Sequence, residues 1–217
     1  MRRFAIAALL LAPLTLSSCA GDDSVPSPTA PPTLASTAAQ PQPIPTPVPP
    51  ATFLPTAVCA PGRLTPAQTE GPYFKTGSPQ RITLIEPGLA GTRLIVTGYV
   101  VSPDCRPVAN ARMEFWHADA QGSYDNTGYR LRGHLFTDRD GLYRLETIMP
   151  GLYPGRTRHI HVKVLPQTGP GLTTQTYFPN EPSNARDGIF DANLVMALQE
   201  TNDGRLARYD FVVSVSP

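Results

Sequence analysis

The sequence lacks an excess of charge of either sign. It carries 18 Lys and Arg against 17 Asp and Glu, which gives a formal net charge of +1. Loss of Arg2 and Arg3 with a cleaved leader would change the balance to 16 against 17, a net charge of −1. Proteins that bind nucleic acid normally cluster Lys and Arg on one face, and no such basic patch is present. We therefore expect no nucleic-acid partner.

The N-terminus lacks a hydrophobic run long enough to cross a membrane. Its apolar stretch, residues 4–16, is shorter than the roughly 20 residues that a spanning helix needs. The stretch follows Met-Arg-Arg, as in a secretory signal. It ends in Leu16-Ser-Ser-Cys19, which resembles the lipobox of bacterial lipoproteins. We predict a lipoprotein-type signal peptide over residues 1–18 and an exported protein, anchored to a bacterial membrane only through lipidated Cys19 on the extracytoplasmic face. An ordinary secretory or a twin-arginine signal is the alternative.

Large apolar residues are scarce in the next segment as well. Residues 19–56 consist mainly of Pro, Thr, Ser and Ala, and they hold many of the 26 prolines. Such a stretch cannot bury enough surface to offset the entropy lost on ordering it. We predict a disordered tether over residues 19–56, followed by one folded domain over residues 57–217.

Cysteine is rare, with three in the chain. Cys59 and Cys105 both lie in the predicted domain. Because an exported protein meets an oxidising compartment, we expect a Cys59–Cys105 disulfide that pins the start of the domain to a later loop. Two separate buried thiols are the alternative, since the sequence gives no distance between the Cα atoms.

Short strands separated by Gly and Pro turns dominate the predicted domain. The Asp140-Gly141 pair predicts a hairpin over residues 136–145. Residues 191–199 fit either a short helix or a strand. Many short strands with little helix predict an all-β fold, a β-sandwich with long loops. The other strands are predicted at residues 92–102, 111–117, 159–164, 173–178 and 207–215.

Residues 150–164 combine a tyrosine, two arginines and two histidines in a loop that runs into a strand. In the strand, aliphatic residues alternate with His159, His161 and Lys163. Side chains on a strand alternate between its faces, so the two histidines share one face while the aliphatic residues take the other. The pair could hold a metal, and Tyr153 is close enough in sequence to join it.

The chemistry of these residues narrows the choice of metal. No Asp or Glu lies in the passage, unlike the usual catalytic zinc site or the two-histidine, one-carboxylate Fe(II) site. A tyrosine holds its proton up to a pH of about 10. A hard trivalent cation can displace that proton, so two imidazoles with a tyrosinate suggest Fe(III). A second tyrosinate would bring the charge close to neutral.

Seven short segments follow one another along the chain. Together they resemble the motifs of intradiol ring-cleavage dioxygenases, most closely those of the protocatechuate 3,4-dioxygenase branch. The resemblance runs from about Cys59 to the C-terminus, and it implies a β-sandwich with Fe(III) held by two tyrosines and two histidines. These match Tyr124, Tyr153, His159 and His161. The segments are Thr69-Glu-Gly-Pro-Tyr-Phe74, Cys105-Arg-Pro-Val108, Trp116-His-Ala-Asp-Ala-Gln-Gly-Ser-Tyr124, Leu131-Arg-Gly-His134, Thr147-Ile-Met-Pro-Gly-Leu-Tyr-Pro-Gly-Arg156, His159-Ile-His161 and Thr174-Gln-Thr-Tyr-Phe178.

The same resemblance implies a reaction. Enzymes of this family cleave a catechol-type ring with O2 between its two hydroxyl-bearing carbons and give a cis,cis-muconate-type diacid. A small aromatic diol and O2 are thus the implied partners. Tyr153 would be the ligand that the substrate displaces, and Arg156 would stabilise negative charge on the ring. Pro72, Tyr73, Arg156 and Gln175 match the substrate pocket.

Several of these residues also have purely structural interpretations. Arg156 could form only a surface salt bridge, Gln175 only a strand hydrogen bond, and Pro72-Tyr73 only a turn. His117 and His134 match no ligand position, and we predict structural roles for both.

Two further questions stay open at this point. We expect no counterpart of the helical dimerisation domain of catechol 1,2-dioxygenases, so the oligomeric state and the ring substituents of the substrate are not predicted. An extracytoplasmic protein that binds iron or catecholates without turnover is the alternative function.

Overall fold

A computed structural model of the chain describes residues 56–216. The predicted signal peptide, Cys19 and the predicted tether up to residue 55 lie outside the described residues. None of the helices in the described part is long and apolar enough to span a membrane. The elements are β1 (Arg93–Val101), β2 (Arg112–Trp116), β3 (Arg132–Phe136), β4 (Leu142–Ile148), β5 (His159–Leu165), β6 (Leu172–Tyr177), β7 (Ala197–Thr201), β8 (Gly204–Arg208), β9 (Phe211–Val212) and two 3₁₀ helices, Pro182–Arg186 and Ala192–Leu194.

The strands form two sheets, which confirms the predicted all-β sandwich. The first sheet has the order β4-β1-β8-β7, with β9 also paired to β1, and the second has the order β3-β2-β5-β6. Apolar side chains from both sheets share one core, in which the ring of Phe115 in β2 lies 5.9 Å from that of Tyr143 in β4. Each sheet therefore buries one face and leaves the other for loops or solvent.

The alternation predicted for β5 is confirmed. Ile160, Val162 and Val164 point into the core. His159 and His161 lie on the opposite face, yet they are only 4% and 2% exposed. Loops cover that face of the second sheet, so the histidines are buried without belonging to the apolar core.

The predicted hairpin over residues 136–145 is wrong. The turn itself forms, since Gly141 has a φ of 74° and its N–H donates to the carbonyl of Asp138 at 3.0 Å. The flanking strands, however, enter different sheets: β3 pairs with β2, and β4 pairs with β1. An Asp-Gly turn reverses the chain locally, but packing of apolar faces against the core decides which strand becomes the partner.

Two other segments differ in detail from the expectation. The strand predicted at residues 207–215 is divided into β8 and β9, which pair with β1 in one continuous parallel register. Between them the carboxylate of Asp210 accepts a hydrogen bond from the N–H of Tyr99 at 3.0 Å, in place of a backbone carbonyl. Residues 191–199 contain both candidate structures, a 3₁₀ turn followed by β7.

Residues 56–85, which we name the N-terminal arm, run along the edges of both sheets. A disulfide joins Cys59 of the arm to Cys105 in the loop between β1 and β2, with the Cα atoms 5.8 Å apart. Covering the outer edges of β3, β4 and β6 removes exposed edges that could pair with other chains. The edge contacts are hydrogen bonds from Gln68 N to Thr173 O in β6 (2.9 Å), from Arg81 N to His134 O in β3 (2.8 Å) and from Leu84 N to Glu146 O in β4 (2.8 Å).

The disulfide should contribute substantially to stability. Its cysteines are 46 residues apart in sequence, and the loop-closure entropy of such a cross-link corresponds to about 4 kcal/mol. We expect the Cys59→Ala, Cys105→Ala double variant to lose up to about this much free energy of unfolding, measured by urea denaturation. Wild-type protein unfolded under reducing conditions is the control and should behave like the variant. A difference below about 1 kcal/mol would contradict the entropic account.

Candidate metal centre

The outer face of the second sheet carries one row of side chains drawn from all four strands. Trp116 in β2 is paired directly with Arg132 in β3 and with His161 in β5, and His161 is paired with Gln175 in β6. Directly paired residues point to the same face of a sheet and lie side by side. His159 occupies the next position on that face of β5. The register of the sheet alone thus collects most of the polar site.

Two loops bring the tyrosines over this row. Tyr124 lies in the loop between β2 and β3, and Tyr153 in the loop between β4 and β5. The loops touch backbone to backbone, because a Cβ added to Gly122 would lie 2.1 Å from the carbonyl oxygen of Leu152, and one added to Gly151 would lie 2.4 Å from the nitrogen of Gly122. Glycine at these positions permits the approach that places the two tyrosine rings 5.8 Å apart.

Three of the four predicted ligand atoms converge. The Oη of Tyr124 lies 3.3 Å from the Nε2 of His159, which in turn lies 3.2 Å from the Nε2 of His161. Two atoms that bind one cation at about 2.1 Å, at an angle of roughly 90–110°, are about 3.0–3.4 Å apart. These separations therefore fit a cation shared by Tyr124 and both histidines.

The protonation pattern of His159 agrees with this fit. Its Nδ1 lies 2.6 Å from the carbonyl oxygen of Thr157 and donates a hydrogen bond to it. Such a bond to the far nitrogen is the usual support of a metal-binding histidine, because it leaves the lone pair of Nε2 free. Across residues 56–216, His, Cys, Asp and Glu side chains nowhere come together in a group of three or more that could hold a metal ion. A site in this part of the chain thus depends on tyrosine oxygens.

Tyr153 stands beside the three converging atoms and makes a different contact. Its hydroxyl oxygen is 2.7 Å from that of Tyr73, a residue of the N-terminal arm. The ring of Tyr73 stacks on Tyr124 with centroids 4.4 Å apart and an interplanar angle of 16°. Tyr73 therefore bridges the two candidate tyrosine ligands.

Burial favours the neutral forms of His159, His161 and Tyr124 in the absence of a metal. Desolvation lowers the pKa of His159 to about 4 and that of His161 well below its ordinary value, so both offer bare lone pairs at neutral pH. Desolvation also raises the pKa of Tyr124 strongly, although the positive charges of Arg156 and Arg132 oppose this effect. A metal bound here would have to displace the Tyr124 proton, as a hard trivalent cation can.

Arg156 is held in place by two side chains. Its Nε donates to Asp187 at 2.8 Å, and its Nη2 donates to the Oε1 of Gln175 at 2.7 Å. Gln175 in turn donates from Nε2 to the carbonyl oxygen of Thr69 in the arm at 3.0 Å. The salt bridge considered for Arg156 does exist, but it is largely buried, with the Asp187 side chain only 2% exposed. Gln175 likewise has a role beyond the strand hydrogen bond considered for it, because its side chain links Arg156 to the N-terminal arm.

Of the two pocket residues predicted in the N-terminal arm, only one lies in the site, and the two histidines predicted to be structural lie outside the ligand cluster. Tyr73 lies in the site, whereas Pro72 is exposed. His117 and His134 have partners elsewhere: His117 bonds to Ala118 O and Thr147 Oγ1, both at 2.7 Å, and His134 bonds to the carbonyl oxygen of Ser78 at 2.7 Å.

Sequence reasoning missed three residues of the site. They are Asp187, Trp116 and Arg132. Asp187 stands before a glycine and resembles an ordinary turn residue. Trp116 and Arg132 fall inside the motifs that carry the resemblance, but only the register between strands shows that both lie in line with His161. The Arg132 guanidinium donates to Asp125 O at 3.0 and 3.1 Å and to the carbonyl of Tyr73.

Comparison with known proteins places the chain in a dioxygenase family. A family described as "Dioxygenase" matches residues 69–216. The protocatechuate 3,4-dioxygenase beta chain of Burkholderia cepacia is 33% identical over 56% of this chain and 63% of its own length. Catechol 1,2-dioxygenase of Acinetobacter baylyi is 31% identical over 54% of this chain and 47% of its own length. The chain thus spans less than two thirds of these curated relatives.

A solved structure shows a similar fold over its full length. It is the dioxygenase domain of a fusion between a dioxygenase and a carbohydrate-binding protein from Streptomyces sp. SirexAA-E. That domain is 49% identical to this chain, with a TM-score of 0.69, and the match covers 71% of this chain and 100% of the domain. A 3-chlorocatechol 1,2-dioxygenase from Rhodococcus opacus is 26% identical with a TM-score of 0.66 over 70% of this chain and 73% of its own.

Removal of one converging nitrogen should weaken metal binding strongly. We expect His161→Ala to weaken Fe(III) binding by more than about 100-fold, since loss of an outer-sphere partner alone typically costs 10–100-fold. Iron content after purification and after dialysis against a chelator measures the effect. His134→Ala, which changes a histidine on the same sheet face outside the cluster, should keep its iron. Full iron occupancy in His161→Ala would remove His161 from the ligand set.

Proposed function

The chain belongs to the intradiol ring-cleavage dioxygenase family, and on this premise we propose that it is a non-haem Fe(III) enzyme that cleaves a catechol-type ring with O2 between the two hydroxyl-bearing carbons. The product would be a cis,cis-muconate-type diacid. One observation carries the proposal: the convergence of Tyr124 Oη with the Nε2 atoms of His159 and His161, next to a further tyrosine.

Tyr124, Tyr153, His159 and His161 would hold the iron. When bound, Fe(III) supplies the Lewis acidity that draws electron density from a catechol bound as its dianion and makes the ring reactive towards O2. The histidines stand on a strand and have fixed positions. The tyrosines stand on loops, and the Tyr153 hydroxyl already has an alternative partner in Tyr73 at 2.7 Å. This arrangement supports Tyr153 as the ligand that the substrate displaces.

Tyr153 and Tyr73 can also handle the protons of the substrate. A catechol must lose two protons to bind as a dianion: a released Tyr153 phenolate can accept one of them as a general base, and the other would pass to solvent. The Tyr73 hydroxyl can donate a hydrogen bond to that phenolate. Because Tyr73 is partly exposed, the pair connects the site to solvent.

Arg156 would stabilise negative charge that develops on the ring. A guanidinium stays charged at any working pH, and a preoriented cation lowers the energy of a charged transition state without reorganisation. Asp187 and Gln175 fix its orientation. Burial raises the pKa of Asp187, but hydrogen bonds from Thr157 N, Ile189 N and Arg156 outweigh this and lower it, so the carboxylate is ionised at neutral pH.

Two exposed apolar side chains belong to the segments that also carry Tyr153 and Asp187, and they suit an aromatic substrate. Leu152 precedes Tyr153 and is 49% exposed, and Ile189 follows Asp187 by two residues and is 40% exposed. A small aromatic diol could contact such groups while its two hydroxyl oxygens face the ligand atoms. The substrates named for the relatives, catechol and protocatechuate, define the class that we propose.

We also propose that the enzyme is exported and lipid-anchored through Cys19. The signal-like start that ends in Leu16-Ser-Ser-Cys19 supports both export and the anchor. The Cys59–Cys105 disulfide supports export, since disulfides persist mainly in oxidising compartments.

Oxygen uptake tests the proposed reaction. We expect the iron-loaded protein to consume one O2 per catechol with at least one of catechol, protocatechuate and hydroxyquinol. Mass spectrometry with ¹⁸O2 should find both oxygen atoms in a muconate-type product. No uptake with any of these diols while iron is bound would contradict the proposal and favour a protein that binds iron or catecholates without turnover.

Tyr153→Phe should separate ligand exchange from folding. The variant loses the phenolate that is displaced, so we expect a shifted tyrosinate-to-iron absorption band and slower turnover with unchanged thermal stability. Visible spectra, oxygen uptake and thermal unfolding measure the three effects. Tyr129→Phe is the control, because the Tyr129 hydroxyl only donates to Thr76 O at 2.8 Å. An unchanged band in Tyr153→Phe would exclude Tyr153 as a ligand.

Asp187→Asn should slow the reaction through Arg156. Loss of the carboxylate frees the guanidinium to turn, so we expect kcat to fall by about tenfold or more while KM changes little, because the interaction matters most in the transition state. Glu181→Gln removes the neighbouring ion pair with Arg158 at 2.7 Å and should leave kcat unchanged. Equal rates for both variants would argue against an orienting role for Asp187.

A further inference from the structure

The two histidines of the candidate metal centre are supported in different ways. His159 donates from Nδ1 to the carbonyl oxygen of Thr157 at 2.6 Å. The Nδ1 of His161 is buried and has no hydrogen-bond partner among the residues that the structure describes. Metal-binding histidines almost always donate from the far nitrogen to an oxygen, and that bond fixes the plane of the ring. Something other than a hydrogen bond must therefore fix the ring of His161.

The indole ring of Trp116 provides this support for His161. The ring of Trp116 stacks on the imidazole of His161 with centroids 4.8 Å apart and an interplanar angle of 6°. The two residues are direct partners in the ladder between β2 and β5, so the backbone register sets their alignment. The Nε1 of Trp116 is itself buried without a partner in the described residues. Apart from the Nε2 of His159 at 3.2 Å, which would be a metal ligand in the proposed centre, no hydrogen-bond partner in the described residues orients either ring.

Other groups confine the stack at its edges. Phe74 packs edge-on against Trp116 with centroids 5.0 Å apart, and the ammonium group of Lys163 lies 4.4 Å from the centre of the Phe74 ring. On the imidazole side, a Cβ added to Gly71 would lie 3.1 Å from Cε1 of His161. The N-terminal arm therefore backs the indole with Phe74 and closes the imidazole edge with Gly71.

We propose that Trp116 is the positioning residue for His161, and that its indole plane sets the imidazole plane in place of a hydrogen bond to Nδ1. The proposal rests on the proposed function, in which His161 binds Fe(III) through Nε2. A buried N–H without an acceptor costs free energy. Any rotation of the imidazole that brought its Nδ1–H to an oxygen acceptor would therefore be favoured. The flat contact with Trp116 opposes that rotation and keeps Nε2 aimed at His159 and Tyr124.

Three variants test this role. Trp116→Leu removes the flat surface, and Trp116→Phe keeps an aromatic plane. Phe115→Leu is the matched control, because Phe115 is also a buried aromatic residue of β2 but faces the core. We expect Trp116→Leu to release Fe(III) to a chelator roughly 10–100-fold faster than wild type, the cost typical of a lost outer-sphere partner. Trp116→Phe should retain iron nearly as well as wild type, and Phe115→Leu should lose stability but not iron.

A second measurement needs no metal. In the metal-free protein labelled with ¹⁵N-histidine, His161 should give one sharp pair of imidazole nitrogen signals in wild type, in Trp116→Phe and in Phe115→Leu. In Trp116→Leu these signals should broaden or divide, because the ring is free to change its plane. Iron release and signals in Trp116→Leu that match those of Phe115→Leu would overturn the proposal.

The outcomes distinguish this inference from the proposed function. Wild-type protein that binds iron and consumes O2, with a Trp116→Leu variant no different from Phe115→Leu, contradicts the role of Trp116 alone. Wild-type protein that holds iron but turns over no diol contradicts the proposed reaction, and the iron-release and NMR comparisons still decide the role of Trp116.

Discussion

The cross-strand register of the second sheet is the constraint on which the candidate site depends. It places Arg132, Trp116, His161 and Gln175 side by side on one face of four strands. A slip of one residue would turn every side chain of a strand to the other face, so His161 would enter the apolar core. The aliphatic residues of β5, buried against the first sheet, make that slip costly. Packing of the apolar core on one face of the sheet thus fixes the alignment of the site residues on the other face.

The four candidate ligands fall on two kinds of support. The histidines lie on β5, which is paired with a strand on each side. The tyrosines lie on loops that meet through Gly122 and Gly151. A strand holds its residues more precisely than a loop does. In the proposed reaction the ligand that exchanges, Tyr153, lies on a loop, whereas both histidines lie on the strand.

Part of this arrangement could be predicted from the sequence. Period-2 alternation identified the face of β5 that carries the histidines, and the motif resemblance selected Tyr124 from a distant loop. Asp187 and Arg132 were not predicted, because their importance lies in contacts between segments that are far apart in sequence. The hairpin at Asp140-Gly141 failed for the same reason: the turn is local, but the partner strands are chosen by the core.

The N-terminal arm has a consequence for the behaviour of the whole domain. The same segment supplies Tyr73 and Gly71 to the site and covers the outer edges of β3, β4 and β6. Uncovered strand edges are the surfaces through which β-proteins aggregate. A molecule whose arm is displaced would therefore lose a wall of its site and become prone to aggregation in one event. One segment thus both protects strand edges and completes the site.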